Sequence, residues 1–259
     1  MLKELYTAAL GMIPQQTRLE VLANNIANAN TVGFKRESAF EQSLIEAREN
    51  LNSVRGDAET EDTPTYSYTD FSSGALERTG NGFDLALGKN DQYFLLNDDN
   101  GKEYYTRAGH FTLLGNGTLG SPDGKILMGE SGPITLLSSE YGEQLPNDEK
   151  AVTLRVETNG EVFANERPVG KLQIFSIDNP QSLQRHTGSQ FAASDETNIT
   201  PVGLQDIAVK QGYVENSNVN IISEMVEMIQ LQRLFEAGQK VISTNDGTLD
   251  RSIDMSRFA

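Results

Sequence analysis

Residues that could carry acid–base chemistry or bind a metal are few in this sequence and lie far apart. The 259 residues include only two histidines, His110 and His186, and no cysteine. A zinc site uses three or four ligands, mostly nitrogen or sulfur, so these residues cannot form one without carboxylates supplying most of it. The carboxylates Glu59, Glu61 and Asp62 lie in a polar stretch with nothing apolar nearby to raise a pKa, which favours solvated charge over catalysis. We predict no catalytic residue, no metal site and no cofactor.

The stretch LNDDNGKEYYTR, residues 96–107, has some of the composition of a calcium-binding loop. If Gly101 takes the place of the loop's glycine, Leu96 and Arg107 fall at the first and last ligand positions, where carboxylates are required. The residues Asp98–Gly101 are instead typical of a tight turn. We therefore predict a β-hairpin here.

The charge of the chain limits its possible partners. The net charge is −16 and the isoelectric point is near 4.5, so a nucleic-acid partner, which needs basic patches, is not expected. Most of the negative charge falls in residues 51–214, whereas both ends are nearly neutral. The apolar run Ala8–Ile13 is too short to span a bilayer, and its flanks are not those of a cleavable signal peptide. We expect no direct membrane insertion.

Both ends of the chain carry apolar residues at the spacing of a coiled coil. This spacing predicts two long helices, each with an apolar stripe. Pro14 predicts a kink or a restart in the first helix. In the second, Asn218 or Asn220 can cap the start, and Asn245–Gly247 indicates a stop or a kink. At the N-terminus Leu5, Met12, Leu19 and Ile26 are each seven apart, with Leu22 beside them; at the C-terminus the same spacing joins Ile221, Met228, Phe235, Ile242 and Leu249, flanked by Met225 and Leu231.

Between these helices the period of the apolar residues changes from seven to two. Short alternating runs are separated by turn signals at residues 98–101, 116–117, 122–124 and 159–160. We predict a mainly β protein: an N-terminal assembly helix over 1–35, a partly extended connector over 36–75, an antiparallel β domain over 76–212 and a C-terminal assembly helix over 213–259.

The first helix ends in asparagines, which are poor helix formers. Asn24, Asn25, Asn28 and Asn30 lie within the sequence LANNIANANTVGFKR, residues 22–36. A buried asparagine can fix the register of a helix–helix contact at a cost in stability. We predict that these amides form hydrogen bonds across such a contact and that Gly33 then allows a left-handed turn.

The same residues resemble a known family. LANNIANANTVGFKR, preceded by GMIPQQTRLEV, is similar to the N-terminal signature of the bacterial flagellar rod and hook axial proteins. NSNVNIISEMVEMIQLQRLFEAGQKVISTND resembles their C-terminal signature. TGNGFDLALGKNDQYFLL and YYTRAGHFTLLGNGTLGSPDGKIL resemble their first β segment.

The resemblance implies a structural subunit of the basal-body rod that transmits torque to the hook. In that family the terminal helices pack as the coiled-coil inner layer of a tubular assembly, and the β domain forms the outer layer. The implied partners are copies of the chain, other flagellar axial proteins and the flagellar export apparatus, which exports subunits without a cleaved signal peptide. The length is more similar to a rod protein than to the hook subunit; FDLAL and QRLFE favour the proximal rod and VISTND the distal rod.

The assembly interface predicted from the stripes and the resemblance combines apolar and amide side chains. The same spacing also allows the helices to pack within one subunit. Two other function classes are compatible with the sequence: another secreted β-rich fibre or adhesin subunit, and a hydrolase on a β scaffold. The predicted interface residues are Leu5, Met12, Leu19, Leu22, Asn24, Asn25, Ile26, Asn28, Ile221, Met225, Met228, Leu231, Phe235, Ile242 and Leu249.

Overall fold

The fold divides into two compact units, each built from several chain segments. A computed structural model describes the backbone of residues 2–41, 65–136, 153–194, 197–203 and 206–257. The helical unit comprises Met1–Ala27, Arg36–Asp70 and Val219–Ala259, and the β unit comprises Asn28–Lys35 and Phe71–Asn218. The predicted acidic group at residues 59–62 lies outside the described residues.

The helical unit contains the two predicted helices and a small sheet. Helix α1 spans Leu2–Ala27, and helix α2 spans Ile221–Arg257. Strands β1 (Glu37–Glu41) and β2 (Thr65–Thr69) pair antiparallel. None of the described helices has a stretch that is long and apolar enough to span a membrane.

The helix ends match the sequence signals only in part. The Asn220 side chain caps α2, because its Oδ1 accepts hydrogen bonds from the backbone N–H groups of Ile222 (3.1 Å) and Ser223 (3.2 Å). The predicted restart at Pro14 is wrong, since α1 runs through it, and the predicted stop at residues 245–247 is wrong, since α2 continues to Arg257. Helix propensity is a weak determinant of where a helix ends.

The β unit is antiparallel throughout, as the period of two predicted. Its largest sheet has ten strands in the order β15-β16-β6-β5-β9-β8-β7, with β10 paired to β9 and with β14 between β5 and β17. Three smaller sheets are β11-β12-β13, β18-β4 and β19-β3. The strands are β3 Leu76–Arg78, β4 Leu85–Leu87, β5 Gln92–Asn97, β6 Glu103–Thr106, β7 Thr112–Leu113, β8 Leu119–Gly120, β9 Ile126–Gly129, β10 Gly132–Pro133, β11 Leu154–Val156, β12 Glu161–Ala164, β13 Arg167–Lys171, β14 Ile174–Ile177, β15 Gln184–Thr187, β16 Gln190–Ala192, β17 Ile199–Pro201, β18 Val209–Gln211 and β19 Tyr213–Glu215, with a short 3₁₀ helix at Pro180–Ser182.

The predicted turns join these strands where the sequence placed them. Residues 98–101 connect β5 to β6 as a hairpin, which confirms the turn interpretation of LNDDNGKEYYTR. The other three turn signals lie between β7 and β8, β8 and β9, and β11 and β12. All four turns end in a glycine with positive φ, the conformation such turns require.

The core of the β unit consists of apolar side chains from most of its strands. The larger cluster includes Phe94 and Phe111, whose rings meet edge to face with centroids 5.2 Å apart. A second cluster surrounds Tyr93 and Phe191. These two clusters form the apolar core of the β unit.

Candidate assembly site

The two long helices pack on each other in antiparallel directions. Asn25 contacts Glu224, and Arg18 contacts Glu227 at 3.3 Å. Further along, a Cβ atom placed on Gly238 would lie 3.4 Å from the sulfur of Met12. Residue numbers fall along α1 as they rise along α2, so the helices run in opposite directions within one subunit.

A polar network lies at the end of the helix pair where α1 finishes and α2 begins. Asn25 is fully buried, and its Nδ2 donates to Glu224 Oε2 (3.0 Å) and to the backbone oxygen of Glu37 (2.7 Å). The Glu37 N–H donates back to Asn25 Oδ1 at 2.9 Å. The side chain of Arg36 donates from Nε to Glu224 Oε1 at 2.6 Å. Asn25, a member of the asparagine cluster in the sequence, therefore has partners on α2 and on the strand that follows α1.

Glu224 is the centre of this network. It is 1% exposed and accepts hydrogen bonds from Asn25 and from Arg36. Burial lowers the pKa of Arg36, but the hydrogen bond to Glu224 and the charges of Glu224 and Glu227 raise it by more, so the net shift is upward. A buried carboxylate is stable only when it is paired and hydrogen-bonded in this way.

The apolar side chains of α2 form two different faces. Glu224, Leu231 and Gly238 lie on the face towards α1, and helical periodicity places the predicted row Ile221, Met228, Phe235 and Ile242 on the same side. Leu231 is buried there, and the row itself is half-buried.

A second face of α2 is not covered by α1 and is exposed. Ile222 is 75% exposed, and Met225, Val226 and Ile229 are each about half exposed, at 47%, 49% and 50%. Their spacing of i, i+3, i+4 and i+7 forms one contiguous stripe, which we call the outward face. Ile222 and Val226 also line a groove of about 550 Å³ that continues to Leu234 and to the Arg18–Glu227 pair. Contiguous apolar stripes on a protein surface are typical of interaction sites.

The β unit contains a separate buried ionic cluster formed by Lys35, Arg107 and Glu215, each at most 2% exposed. Lys35 Nζ lies 2.6 Å from Glu215 Oε1, and Arg107 donates to Glu215 Oε2 from Nε (2.8 Å) and from Nη2. The N–H of Gly74 also donates to Glu215, at 3.1 Å. Burial alone would raise the pKa of Glu215, but the charges of Arg107 and Lys35 lower it below its ordinary value.

The sequence signature TVGFK is built into the β unit beside this cluster. Gly33 has φ of +68°, as predicted, and its N–H donates to the backbone oxygen of Glu215 at 2.7 Å. A Cβ atom on Gly33 would lie 2.3 Å from the backbone nitrogen of Ala108, which is too short a distance for a Cβ atom. Any other residue here would force the backbone to shift. Phe34 is buried, with the Arg185 guanidinium 4.7 Å above its ring.

The two histidines serve in local contacts of the β unit. His110 Nδ1 lies 2.7 Å from the buried carboxylate of Asp84, and His186 stacks on the ring of Tyr104 with centroids 4.7 Å apart. Within the part of the chain that the structure describes, no three histidine or acidic side chains are grouped closely enough to hold a metal ion.

Comparison with known proteins assigns the N-terminal, central and C-terminal regions of the chain to one family. Family models match residues 5–35 (Flagella basal body rod protein), residues 89–164 (Flagellar hook protein FlgE/F/G D1 domain) and residues 210–255 (Flagellar basal body rod FlgEFG protein C-terminal). The flagellar basal-body rod protein FlgF of Rhizobium meliloti is 30% identical over 251 residues, covering 96% of each chain. The chain belongs to the flagellar basal-body rod protein family. The rod protein FlgG of Bacillus subtilis is 30% identical over 99% of this chain and all of its own length, and that of Caulobacter vibrioides is 31% identical over 96% and 97%.

Each polar site of this rod-family protein has a residue in both terminal family matches. Asn25 and Lys35 lie within the N-terminal match, and Glu215 and Glu224 lie within the C-terminal match. Each site therefore joins one terminal signature to the other. This pairing gives a physical reason for two signatures that lie at opposite ends of the chain.

The structure brings most of the predicted interface residues to the helix pair of this rod-family protein. Leu22, Asn25 and Leu231 are buried there, and Asn24 and Met225 are exposed. The side chains of Leu5 and Leu249 lie outside the described residues. The half-buried members are Met12, Leu19, Ile26, Asn28, Ile221, Met228, Phe235 and Ile242. Contact of any of these residues with a neighbouring subunit stays a prediction.

Sequence reasoning missed several residues that the structure makes prominent. Ile222, Val226 and Ile229 form the outward face, but the sevenfold row on the other side of the helix was the stronger pattern. Arg36 and Glu224 were not among the predicted interface residues. Opposite charges placed in the two terminal signatures were the available signal, although sequence alone does not show which of them pair.

Proposed function

We propose that this protein is a structural, non-enzymatic subunit of the bacterial flagellar basal-body rod. It polymerises with copies of itself and with other flagellar axial proteins into the shaft that transmits torque to the hook. Its terminal helices form the coiled-coil-like inner layer of the assembly, and its β unit forms the outer layer. The observation that carries this proposal is the exposed outward face of α2 in a chain of the rod family.

The outward face has the energetic capacity to drive assembly. Fully burying a large apolar side chain is worth about 1.5–3 kcal/mol. Ile222, Met225, Val226 and Ile229 are half to three-quarters exposed in the single subunit, so a neighbour that covers them removes much apolar surface from water. The face that contacts α1 is already occupied. The outward face is therefore the part of α2 that a neighbouring subunit covers.

The polar residues support a structural role. The buried carboxylates Glu215 and Glu224 are each paired with a cation and hydrogen-bonded. Removing one partner of such a pair destabilises a fold, and groups held in this way are poorly suited to exchange protons with a substrate. We also propose that the chain reaches the basal body through the flagellar export apparatus without a cleaved signal peptide, as the family resemblance implies.

An aspartate on the outward face tests the proposal. We expect Ile229→Asp to leave the thermal midpoint of the purified monomer close to that of the wild type, because residue 229 is half exposed there. In cells the same variant should abolish rods and swimming, because assembly would bury the charge. The matched control is Leu113→Asp, an exposed apolar residue of the β unit at 36%, which should retain motility. Wild-type swimming and intact basal bodies in Ile229→Asp cells would contradict the proposal.

A further inference from the structure

We infer that Asn25, Arg36 and Glu224 form a register lock, a polar network that allows α1 and α2 to pack at only one offset. The offset decides which residues of α2 face α1 and which form the outward face. The register is a property of the single subunit. Only the consequence for assembly rests on the proposed function.

The apolar contacts of the helix pair discriminate poorly between offsets. Met12, Leu19 and Ile26 repeat every seven residues on α1, and Ile221, Met228, Phe235 and Ile242 repeat every seven residues on α2. Sliding one helix along the other by seven residues, about 10 Å, therefore brings similar side chains into contact again. An apolar seam of this kind needs another feature to fix its position.

The polar network supplies that feature because its partners are buried and directional. Asn25 is fully buried and Glu224 is 1% exposed. A shift of seven residues in one direction would place Asn25 against Leu231. Asn25 would keep its bonds to Glu37 but lose Glu224, and the buried carboxylate of Glu224 would lose both Asn25 and Arg36. A shift in the other direction would place Asn25 before the first residue of α2. Leaving buried polar groups without hydrogen bonds is strongly unfavourable. Only the observed offset places Glu224 against both Asn25 and Arg36, so this offset is favoured over the shifted ones.

A second ion pair between the same helices provides an internal contrast. Arg18 and Glu227 lie 3.3 Å apart, but their side chains are 36% and 39% exposed. Water can replace either partner after a shift, and exposed pairs of this kind contribute little. The pair therefore serves as a control for the effect of removing one charge from α2.

Engineered cysteine pairs can measure the offset directly, because the chain has no cysteine of its own. Met12→Cys with Gly238→Cys reports the observed register, since these positions are in contact. Met12→Cys with Asn245→Cys reports the register shifted by seven residues. Intramolecular disulfide formation is followed in dilute purified monomer by non-reducing electrophoresis. With the lock intact we expect the first pair to form at least about tenfold faster than the second, the factor for one charge-assisted buried hydrogen bond.

The lock is removed in the double variant Asn25→Leu/Glu224→Leu. Its apolar replacements keep the helices packed, but the ratio of the two rates should fall to within about threefold. The control Glu227→Leu should keep the original ratio. An unchanged ratio in the double variant, or an equal fall in the control, would overturn the inference.

Two further readouts separate the possible failures. If the double variant loses its helical circular dichroism, the ratio of the two disulfide-formation rates is measured in the isosteric Glu224→Gln instead. This ratio should fall at least about threefold. An unchanged ratio in Glu224→Gln would overturn the lock. If the double variant loses the offset but its cells still build normal rods, the lock stands and its role in assembly is overturned. Failure of the proposed function itself appears elsewhere, as normal swimming of Ile229→Asp cells.

Discussion

Replacing Glu215 with glutamine should strongly destabilise the β unit. The substitution keeps the shape of the side chain and removes the only negative charge in the pairing of Glu215 with Lys35 and Arg107, all of which are at most 2% exposed. The two buried cations would lose the negative charge that Glu215 places against them. Breaking a buried pair in this way costs about 3–5 kcal/mol.

The expected change in the thermal midpoint follows from the size of the unit. At about 2–4 °C per kcal/mol for a unit of 150 residues or more, Glu215→Gln should lower the midpoint by about 6–20 °C. The chain has no tryptophan and eight tyrosines, and Tyr93, Tyr104 and Tyr105 are buried in the β unit. Near-ultraviolet circular dichroism of the tyrosines therefore reports the unfolding of this unit.

Acid should reduce the difference between the variant and the wild type. Burial raises the pKa of Glu215, but Arg107 and Lys35 lower it further, to below its ordinary value of 4.5. The unfolded chain therefore takes up the proton before the folded chain does, so the charge of Glu215 stabilises the fold fully above the ordinary pKa. The stabilisation is lost as the pH falls from there through the lowered pKa. Melting curves of both proteins between pH 7 and pH 3 should therefore converge.

A matched exposed carboxylate controls for the loss of charge alone. Glu161 pairs with Lys171 at 3.1 Å, but each side chain is 33% exposed, so Glu161→Gln should melt near the wild-type midpoint. A fall of less than about 2 °C for Glu215→Gln at pH 7 would refute the reasoning, because it would mean that the buried cations tolerate the loss of their partner.

Three other substitutions test separate parts of the fold. Gly33→Ala should destabilise the β unit by more than about 2 kcal/mol, because φ is +68° and the new Cβ would lie 2.3 Å from a backbone nitrogen; Gly101→Ala, also at positive φ but with open space around it, should cost less in the same thermal melt. Asn220→Ala should lower the free energy of unfolding of α2 by about 1 kcal/mol, because it removes the helix cap. The helical circular dichroism should then be lost at a lower temperature than in the wild type, and Asn220→Ser should recover most of the lost stability. Leu231→Ala should destabilise the helix pair by about 2–5 kcal/mol, whereas Ile222→Ala should be nearly neutral in the monomer; equal urea midpoints for these two would contradict the assignment of the two faces of α2.

The regular elements were the most predictable part of the fold. The sevenfold apolar spacing predicted α1 and α2, and the turn signal at residues 98–101 predicted the hairpin of β5 and β6. Turn glycines such as Gly33 and Gly101 were predictable because their backbone conformations exclude most other residues. These signals are local, so one sequence is enough to read them.

The pairings between distant residues were not predictable. Lys35, Arg107 and Glu215 are separated by long stretches of chain, and many other charged residues could have been their partners. The sequence suggested that asparagines fix a helix register, but it did not show that Glu224 is the partner of Asn25. The second apolar face of α2 was not recognised in the sequence, because the residues of the two faces are interleaved along the same helix. Side-chain geometry is needed to separate them.

The adjacent positions of Lys35 and Arg36 make the spacing of this segment as important as its composition. Lys35 binds Glu215 in the β unit, and Arg36 binds Glu224 in the helical unit together with Asn25. Adding or deleting one residue between Asn25 and Lys35 would move both cations relative to Asn25, although each single side chain could still be replaced by a similar one. We therefore expect homologues to tolerate conservative replacements in this segment far more readily than insertions or deletions. The length of the segment should vary less among them than its residue types. An epitope tag inserted between residues 28 and 35 should abolish folding for the same reason.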